Sequence, residues 1–326
     1  REVARGQWGV ADLIATTRAL PRHLVTAGGE YRANFTQDQW AYDTTVDGPV
    51  YVVRENPSVW ALFAQDEITL HEKVLLNAGA RYDHYETFGG EVNPRAGLIL
   101  KVTGDTTVKL LYGEAFRAPN ASELTYATPD GNDLTPEKTT TYEIVLDQRI
   151  GRNWQGTLSA YQNTTKDLID QVTDESGTVY FDNLDEAQAQ GFEVQLVGRT
   201  AAEWEGGGSY SFCDTEDKTT GERLSNSPES LVKVHGSLPL VARKVFLGAE
   251  VAYMSERITL AGDRTDATVI GNVNLLARNI LPRLEASVGV YNITDEDYGD
   301  PVYSGYYVDQ IAQNGRTWRV KMTYTF

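Results

Sequence analysis

The amino-acid sequence predicts an all-β fold, a transmembrane antiparallel up-and-down β-barrel. Three observations lead to this prediction. Apolar and polar residues alternate with a period of two along most of the chain, as they do in strands whose successive side chains point to opposite faces. Many alternating segments are about 10–14 residues long, whereas strands of globular sheets usually have about 5–6. Short and long connections succeed one another, as in outer-membrane barrels with short periplasmic turns and longer extracellular loops.

The alternating segments occur in order from one end of the chain to the other. Residues 23–35 and 73–85 each separate an apolar face from a polar one, and shorter examples follow at 142–146 and 192–196. The last segment is the clearest, because its apolar face is formed by Trp318, Val320, Met322, Tyr324 and Phe326. The count is about 15 strands, beginning near Gln7.

The connections complete the pattern. Short links are predicted at 18–22, 69–72, 103–106 and 150–153, and long polar links at 37–56, 118–137 and 215–227. A soluble β-sandwich or propeller would also alternate. Charges recur on the polar faces, as a water-filled lumen requires, and this favours the membrane barrel.

Composition excludes several other classes. The 326 residues include 29 Lys and Arg, 46 Asp and Glu, and one Cys, with a net charge of -17. A single Cys cannot build a disulfide framework or a Cys-based zinc site, and an acidic chain is a poor partner for nucleic acid. No apolar run is long enough for a transmembrane helix. No signal peptide precedes Arg1, so the sequence is interpreted as a mature chain or a piece of a longer one.

Charged residues on the polar faces are the candidates for the lumen. They are Glu30, Arg32, Arg81, Asp83, Lys109, Arg117, Glu143, Glu193 and Arg319. The favoured interpretation is a solvated barrel wall whose charges pair with each other, and the alternative is contact with a plug or with a passing polar ligand. Arg117 precedes Ala118-Pro119, where proline ends the strand, and we expect it to form a structural ion pair.

Two long loops carry the candidates for ligand binding. One contains Tyr126, Asp130 and Asn132, and the other contains Tyr303, Tyr306 and Tyr307. Tyrosine offers a large rigid face and a hydroxyl group, although an interfacial aromatic girdle is an alternative role. The Asp130-Gly131 pair is better suited to a turn than to calcium. No metal site and no catalytic residues are predicted, because the four His are far apart and no nucleophile elbow or phosphate loop appears.

Several segments, taken in order, resemble the C-terminal part of TonB-dependent outer-membrane receptors. They are Tyr112–Leu124 with its Phe-Arg-Ala-Pro sequence, Gly131–Glu137, Thr141–Glu143, Tyr161–Asn163, Asp182–Asn183, Gly191–Glu193 and Tyr291–Asp295. The resemblance implies a barrel of roughly 22 strands with a plug domain inside it. No segment of this sequence resembles a plug, so residues 1–326 are interpreted as the C-terminal portion of a receptor barrel, without the plug and first strands.

The resemblance also implies a function and a location. It implies active uptake of a scarce ligand, such as an iron–siderophore complex or cobalamin, in the bacterial outer membrane and without enzymatic activity or a cofactor. The implied partners are outer-membrane lipid, the small-molecule ligand, the TonB complex and the barrel assembly machinery, to which Phe326 would be the signal. The alternative is a plugless passive pore, or a barrel that binds ligands or adheres through its loops.

Overall fold

The computed structural model describes residues 2–42, 45, 47–125, 134–241, 244–302 and 307–326. Most of these residues are in strands, and the chain divides into two units. Unit 1 comprises residues 1–100, 109–142 and 163–187, and unit 2 comprises residues 101–108, 143–162 and 188–326. The all-β prediction is therefore confirmed.

Unit 1 contains the first five strands and parts of the next five. The first five are β1 Glu2–Thr17, β2 His23–Tyr42, β3 Pro49–Glu55, β4 Ser58–His71 and β5 Val74–Tyr85. Five strands have residues in both units: β6 Gly89–Lys101, β7 Thr106–Arg117, β8 Glu137–Ile150, β9 Trp154–Thr173 and β10 Val179–Arg199. The helix α1, Ala121–Thr125, follows β7.

Unit 2 contains the remaining strands. They are β11 Glu205–Asp217, β12 Ser230–Val241, β13 Val245–Met254, β14 Thr268–Leu281, β15 Leu284–Tyr291, β16 Gly299–Pro301, β17 Gln310–Ala312 and β18 Thr317–Tyr324. Strands β16 and β17 form a separate two-stranded sheet. In the main sheet, neighbouring strands follow chain order from β1 to β15, with β3 left out, and β18 comes last. Strand β3 pairs with β2 and lies outside this order. The order comprises 15 strands, which agrees with the count from the sequence.

Strand register keeps apolar and polar side chains on separate faces. Across β4, β5 and β6, Leu62 lies opposite Tyr82 and Tyr82 opposite Val92, whereas Ala61 lies opposite Asp83 in the next row. A slip by one residue would move every charged side chain to the apolar face, and this cost fixes the register.

The apolar faces are exposed and do not pack into an interior core. Among the described residues, the buried apolar side chains are Ala61, Leu134 and Val145. The apolar face of β18 is open instead, with Trp318 69% and Met322 73% exposed. An exposed band of this kind is what the lipid-facing side of a barrel requires. No helix among the described residues is long and apolar enough to cross a membrane.

The short links form tight turns as predicted, and two of the long links are shorter than expected. Gly151 turns between β8 and β9 with a φ of 62°, a conformation that glycine adopts without steric cost. The link predicted at 37–56 is wrong, because β2 continues to Tyr42 and β3 pairs back onto it. Aromatic and β-branched residues in this stretch favour strand over loop. Strand β11 likewise continues to Asp217, and β1 begins at Glu2 rather than near Gln7.

Candidate functional site

Three of the predicted lumen residues form one ion-pair cluster on the polar face of unit 1. The guanidinium of Arg81 donates to both carboxylate oxygens of Asp83, at 2.8 and 3.0 Å, and to Glu30 at 3.2 Å. Strand register creates the cluster, since Ala61 of β4 stands between Glu30 and Asp83 and its small side chain leaves room for the bridge. Arg81 neutralises two carboxylates on a face that would otherwise be strongly negative.

The other predicted lumen residues have varied surroundings. The guanidinium of Arg32 lies 5.2 Å from the ring of Trp8, and that of Arg319 lies 5.2 Å from the ring of Tyr291. Lys109 and Glu143 are half-buried, and Glu193 is exposed. None of these three belongs to the Arg81 cluster. The lumen-facing orientation of all nine residues stays a prediction.

Arg117 forms the expected ion pairs, at the point where β7 ends and the following loop begins. Two of its nitrogens donate to the two oxygens of Glu137 at 2.6 Å each, and Nη1 donates to Glu123 at 3.0 Å. The planar guanidinium matches a carboxylate through two parallel hydrogen bonds, which fixes geometry as well as charge. Arg117 therefore joins the end of β7, the helix α1 and the start of β8.

The helix α1 is held by a capping box. Oδ1 of Asn120 accepts the backbone N–H of Ser122 at 2.9 Å and that of Glu123 at 3.0 Å, while Glu123 accepts the N–H of Asn120 at 2.8 Å. This reciprocal arrangement satisfies donors that a helix start leaves open. Because Glu123 also binds Arg117, one carboxylate orients both the helix and the strand end.

Asn183 holds the far end of the same loop. Its Oδ1 accepts the N–H of Thr135 at 2.8 Å, and its Nδ2 donates to the carbonyls of Thr135 at 2.9 Å and Asp167 at 2.6 Å. Leu134 beside it is 2% exposed. The two described ends of the 118–136 connection are thus each fixed by side-chain hydrogen bonds.

Unit 2 has its own loop junction, built on Arg257. The side chain is 7% exposed and donates to Asp300 at 2.7 Å, to Asn226 at 3.0 Å and to the carbonyl of Gly299 at 3.2 Å. Asn226 belongs to the β11–β12 connection, and Asp300 lies in β16. One buried guanidinium therefore ties three separate connections together, and Asp300 is occupied by this structural role.

The predicted ligand-binding residues fall mostly outside the described residues. Tyr126, Asp130, Asn132, Tyr303 and Tyr306 lie in the undescribed ranges 126–133 and 303–306. Tyr307 is described and its side chain is fully exposed. Among the described residues, no group of three or more His, Cys, Asp or Glu side chains is placed to hold a metal ion.

Sequence reasoning did not identify Arg257. A single arginine in a connection has no local signature, and its partners lie 31 and 43 residues away in the chain. Asn183 was part of a recognised motif, but the motif does not show that its amide bonds to Thr135. In both cases the contact depends on which strands become neighbours, and no short-range pattern specifies this.

A strand-rich chain with exposed apolar faces and ion-paired polar faces has the features of a bacterial outer-membrane β-barrel. The chain belongs to the TonB-dependent receptor family, since residues 4–293 match the family model described as TonB dependent receptor-like, beta-barrel. This family consists of outer-membrane transport receptors and not of enzymes. The resemblance stated from the sequence is confirmed.

Curated relatives support the same assignment. The chain is 30% identical over 199 residues to an iron-regulated outer membrane virulence protein of Vibrio cholerae, covering 53% of this chain and 30% of the relative. It is 26% identical over 307 residues to the metal-pseudopaline receptor CntO of Pseudomonas aeruginosa, covering 83% of this chain and 41% of the relative. The chain thus spans less than half the length of these relatives.

Solved structures share the fold. The ferripyoverdine receptor from the outer membrane of Pseudomonas aeruginosa superposes with a TM-score of 0.82 at 15% identity, over 99% of this chain and 49% of that one. The copper transporter OprC superposes with a TM-score of 0.82 at 18% identity, over 100% of this chain and 57% of that one.

Proposed function

We propose that this chain is the barrel portion of a receptor that takes up a metal chelate, such as an iron–siderophore complex, or cobalamin. Energy would be delivered through the TonB complex. The observation that carries the proposal is the family match over residues 4–293. Relatives described as receptors for metal-pseudopaline and for ferrienterobactin agree with a chelated metal as the ligand.

The geometry of the loop bases agrees with selective capture. Arg117 and Asn183 fix the ends of one long connection in unit 1, and Arg257 ties three connections in unit 2. Binding to a surface that is already ordered loses less conformational entropy than binding to a flexible one. We propose that Tyr126, Asp130, Asn132, Tyr303, Tyr306 and Tyr307 contact the ligand from these loops.

The test is uptake by cells that express the whole protein containing this chain. Ferric enterobactin, ferripyoverdine and metal-pseudopaline, each with a radioactive metal, would be offered to cells with and without TonB. Uptake of at least one chelate that disappears without TonB is expected. Uptake that persists without TonB would instead establish a passive pore and overturn the proposal.

Loop variants separate ligand contact from energy coupling. Replacing Tyr303, Tyr306 and Tyr307 together by Ala removes three aromatic faces, and we expect the chelate's Kd to rise about tenfold or more. The matched control replaces the same residues by Phe, which keeps the rings and removes only the hydroxyl groups. Unchanged affinity in both variants would remove these tyrosines from the binding site.

A further inference from the structure

A cavity of 420 Å³ lies at the short-turn end of unit 2, away from the long connections. Three arginines line it, namely Arg149 near the end of β8, Arg152 in the following turn, and Arg199 at the end of β10. The other polar residues of the lining are Asn153, Gln155, Glu205 and His235. Cavities of this size, about 300–1,000 Å³, accommodate small molecules.

The backbone that carries two of these arginines is fixed. The N–H of Arg199 donates to the carbonyl of Asn153 at 3.0 Å, and Nδ2 of Asn153 donates to the carbonyl of Arg199 at 2.6 Å. This reciprocal pair joins the β8–β9 turn to the end of β10. Arg152, next to Asn153, is therefore held on the same rigid base as Arg199.

Trp154 and Val197 are apolar residues that also line the cavity, and the indole of Trp154 packs on Gly198. A Cβ added to Gly198 would lie 2.3 Å from the indole ring, so only glycine permits this close approach. The cavity thus combines apolar lining residues with three guanidinium groups.

The positive charge of the cavity is poorly neutralised by the protein. Arg149 lies 3.7 Å from Asp105 and Arg199 lies 3.9 Å from Glu205, and both arginine side chains are more than 60% exposed. Within the described part of the chain, Arg152 makes no ion pair. Exposed pairs at such separations contribute little. The lining therefore contains three guanidinium groups and one carboxylate. This local excess of positive charge occurs in a chain whose net charge is -17.

We propose that this cavity binds a small solute bearing an oxyanion, either a phosphate or a carboxylate. Guanidinium groups recognise both through paired hydrogen bonds in a plane. Arg152 and Arg199 hold the anion. Because short turns face the periplasm in outer-membrane barrels, the site is open to periplasmic solutes and is separate from the loops of the proposed uptake function.

The test is isothermal titration of the whole protein that contains this chain, in uncharged detergent micelles at low ionic strength. Inorganic phosphate and citrate are the two probes, and they distinguish a phosphate source from a carboxylate source. Arg152→Gln and Arg199→Gln should each weaken binding roughly tenfold or more, because each removes charge-assisted hydrogen bonds to the anion. Replacing an exposed turn arginine should leave folding intact.

Arg283→Gln is the matched control, since it removes the same charge from a different short turn of unit 2. Binding unchanged in Arg283→Gln but weakened in the two cavity variants supports the proposal. Three results would overturn it: no heat with either anion at millimolar concentration, equal weakening in all three variants, or no weakening in any.

Discussion

At the residue scale, Arg257 shows how one side chain can organise several loops. Its partners belong to different connections, and its own side chain is almost fully buried. Nη1 and Nη2 of this buried guanidinium have acceptors, whereas its Nε has none among the described residues. Leaving the whole charge without partners would cost several kcal/mol. The three connections are therefore held in the one arrangement that supplies these acceptors.

This role predicts a coordinated loss of loop order in Arg257→Gln. Asp300 and Asn226 lose their partner, and we expect about 1–3 kcal/mol less local stability. Hydrogen exchange followed by mass spectrometry should show faster exchange in residues 218–229, 255–267 and 299–301 together. Arg264→Gln is the control, because the Arg264–Glu256 pair is exposed on both sides and should change little. Faster exchange confined to residues 255–267 would contradict the role as a junction.

Residue-scale contacts were only partly predictable. The ion pair of Arg117 follows from its place before a strand-ending proline, whereas the sequence does not identify Glu123 and Glu137 as its partners. The Glu30–Arg81–Asp83 cluster was predicted only as a shared polar face. Which charges meet depends on the register between β2, β4 and β5, and this register results from many weak cross-strand pairs acting together.

At the element scale, glycine allows the neighbouring strands β1, β2 and β4 to pack closely. A Cβ on Gly28 would lie 2.5 Å from the ring of Phe63 and 2.6 Å from the carbonyl oxygen of Leu13. The carbonyl belongs to the backbone and cannot rotate away.

Gly28→Ala should therefore destabilise the sheet, by about 1–3 kcal/mol, as overpacking usually does. Unfolding in urea, followed by tryptophan fluorescence of the detergent-solubilised chain, measures this difference. Gly113→Ala in β7 is the matched control, since a Cβ there meets nothing within 4 Å. We expect it to be neutral or slightly stabilising, because alanine restricts the unfolded chain. Equal stability of the two variants would refute the packing argument.

The connection between β9 and β10 is predicted to loosen in acid. Oδ1 of Asp174 accepts the Ser176 hydroxyl at 2.7 Å and the N–H groups of Ser176 and Thr178 at 2.8 and 2.9 Å. The Ser176 side chain, followed by these backbone donors, holds the pKa of Asp174 below its usual value. The stabilisation is complete above the usual aspartate pKa of about 3.9 and is lost as pH falls through the lowered pKa.

Amide exchange at Ser176 and Thr178, corrected for the intrinsic pH dependence, should therefore rise below about pH 4. Asp174→Asn provides the control, because the amide oxygen still accepts hydrogen bonds but does not titrate in this range. The pH dependence should disappear in this variant. If it persists, another group controls the turn.

At the scale of the whole molecule, the fold class and the strand count were predicted from the sequence, because alternation is a local property that every strand repeats. Lys73–Tyr85 and Arg316–Phe326 show their two faces without any knowledge of their neighbours. The β2–β3 pairing is not predicted by the sequence, since Gln37–Tyr42 is rich in polar residues and its pattern indicates a loop. The part of a strand that lies outside the membrane is surrounded by water and needs no apolar face. The alternation of apolar and polar residues therefore weakens there, although the hydrogen-bonded strand continues.

The exposed C-terminal aromatic residue predicts a role in assembly. Phe326 is completely exposed, and its ring makes an edge-to-face contact with Tyr324 at 5.3 Å. An accessible aromatic side chain is a typical anchor for a binding partner. We expect Phe326→Ala to reduce the amount of heat-modifiable barrel in outer-membrane fractions several-fold. Thr325→Ala, one residue earlier in the chain, should assemble normally. Normal assembly of Phe326→Ala would exclude this residue as the signal.

The lengths of β2, β9 and β10 determine how far the protein reaches from the cell. These strands have 20, 20 and 21 residues, whereas a tilted strand crosses the hydrocarbon core in about 9–11. At about 3.3 Å per residue, roughly 30 Å of each strand lies beyond the lipid tails. Since short turns face the periplasm in outer-membrane barrels, we expect this excess to lie on the extracellular side. Large proteins such as antibodies would therefore contact ordered β-strands before they reached the lipid surface.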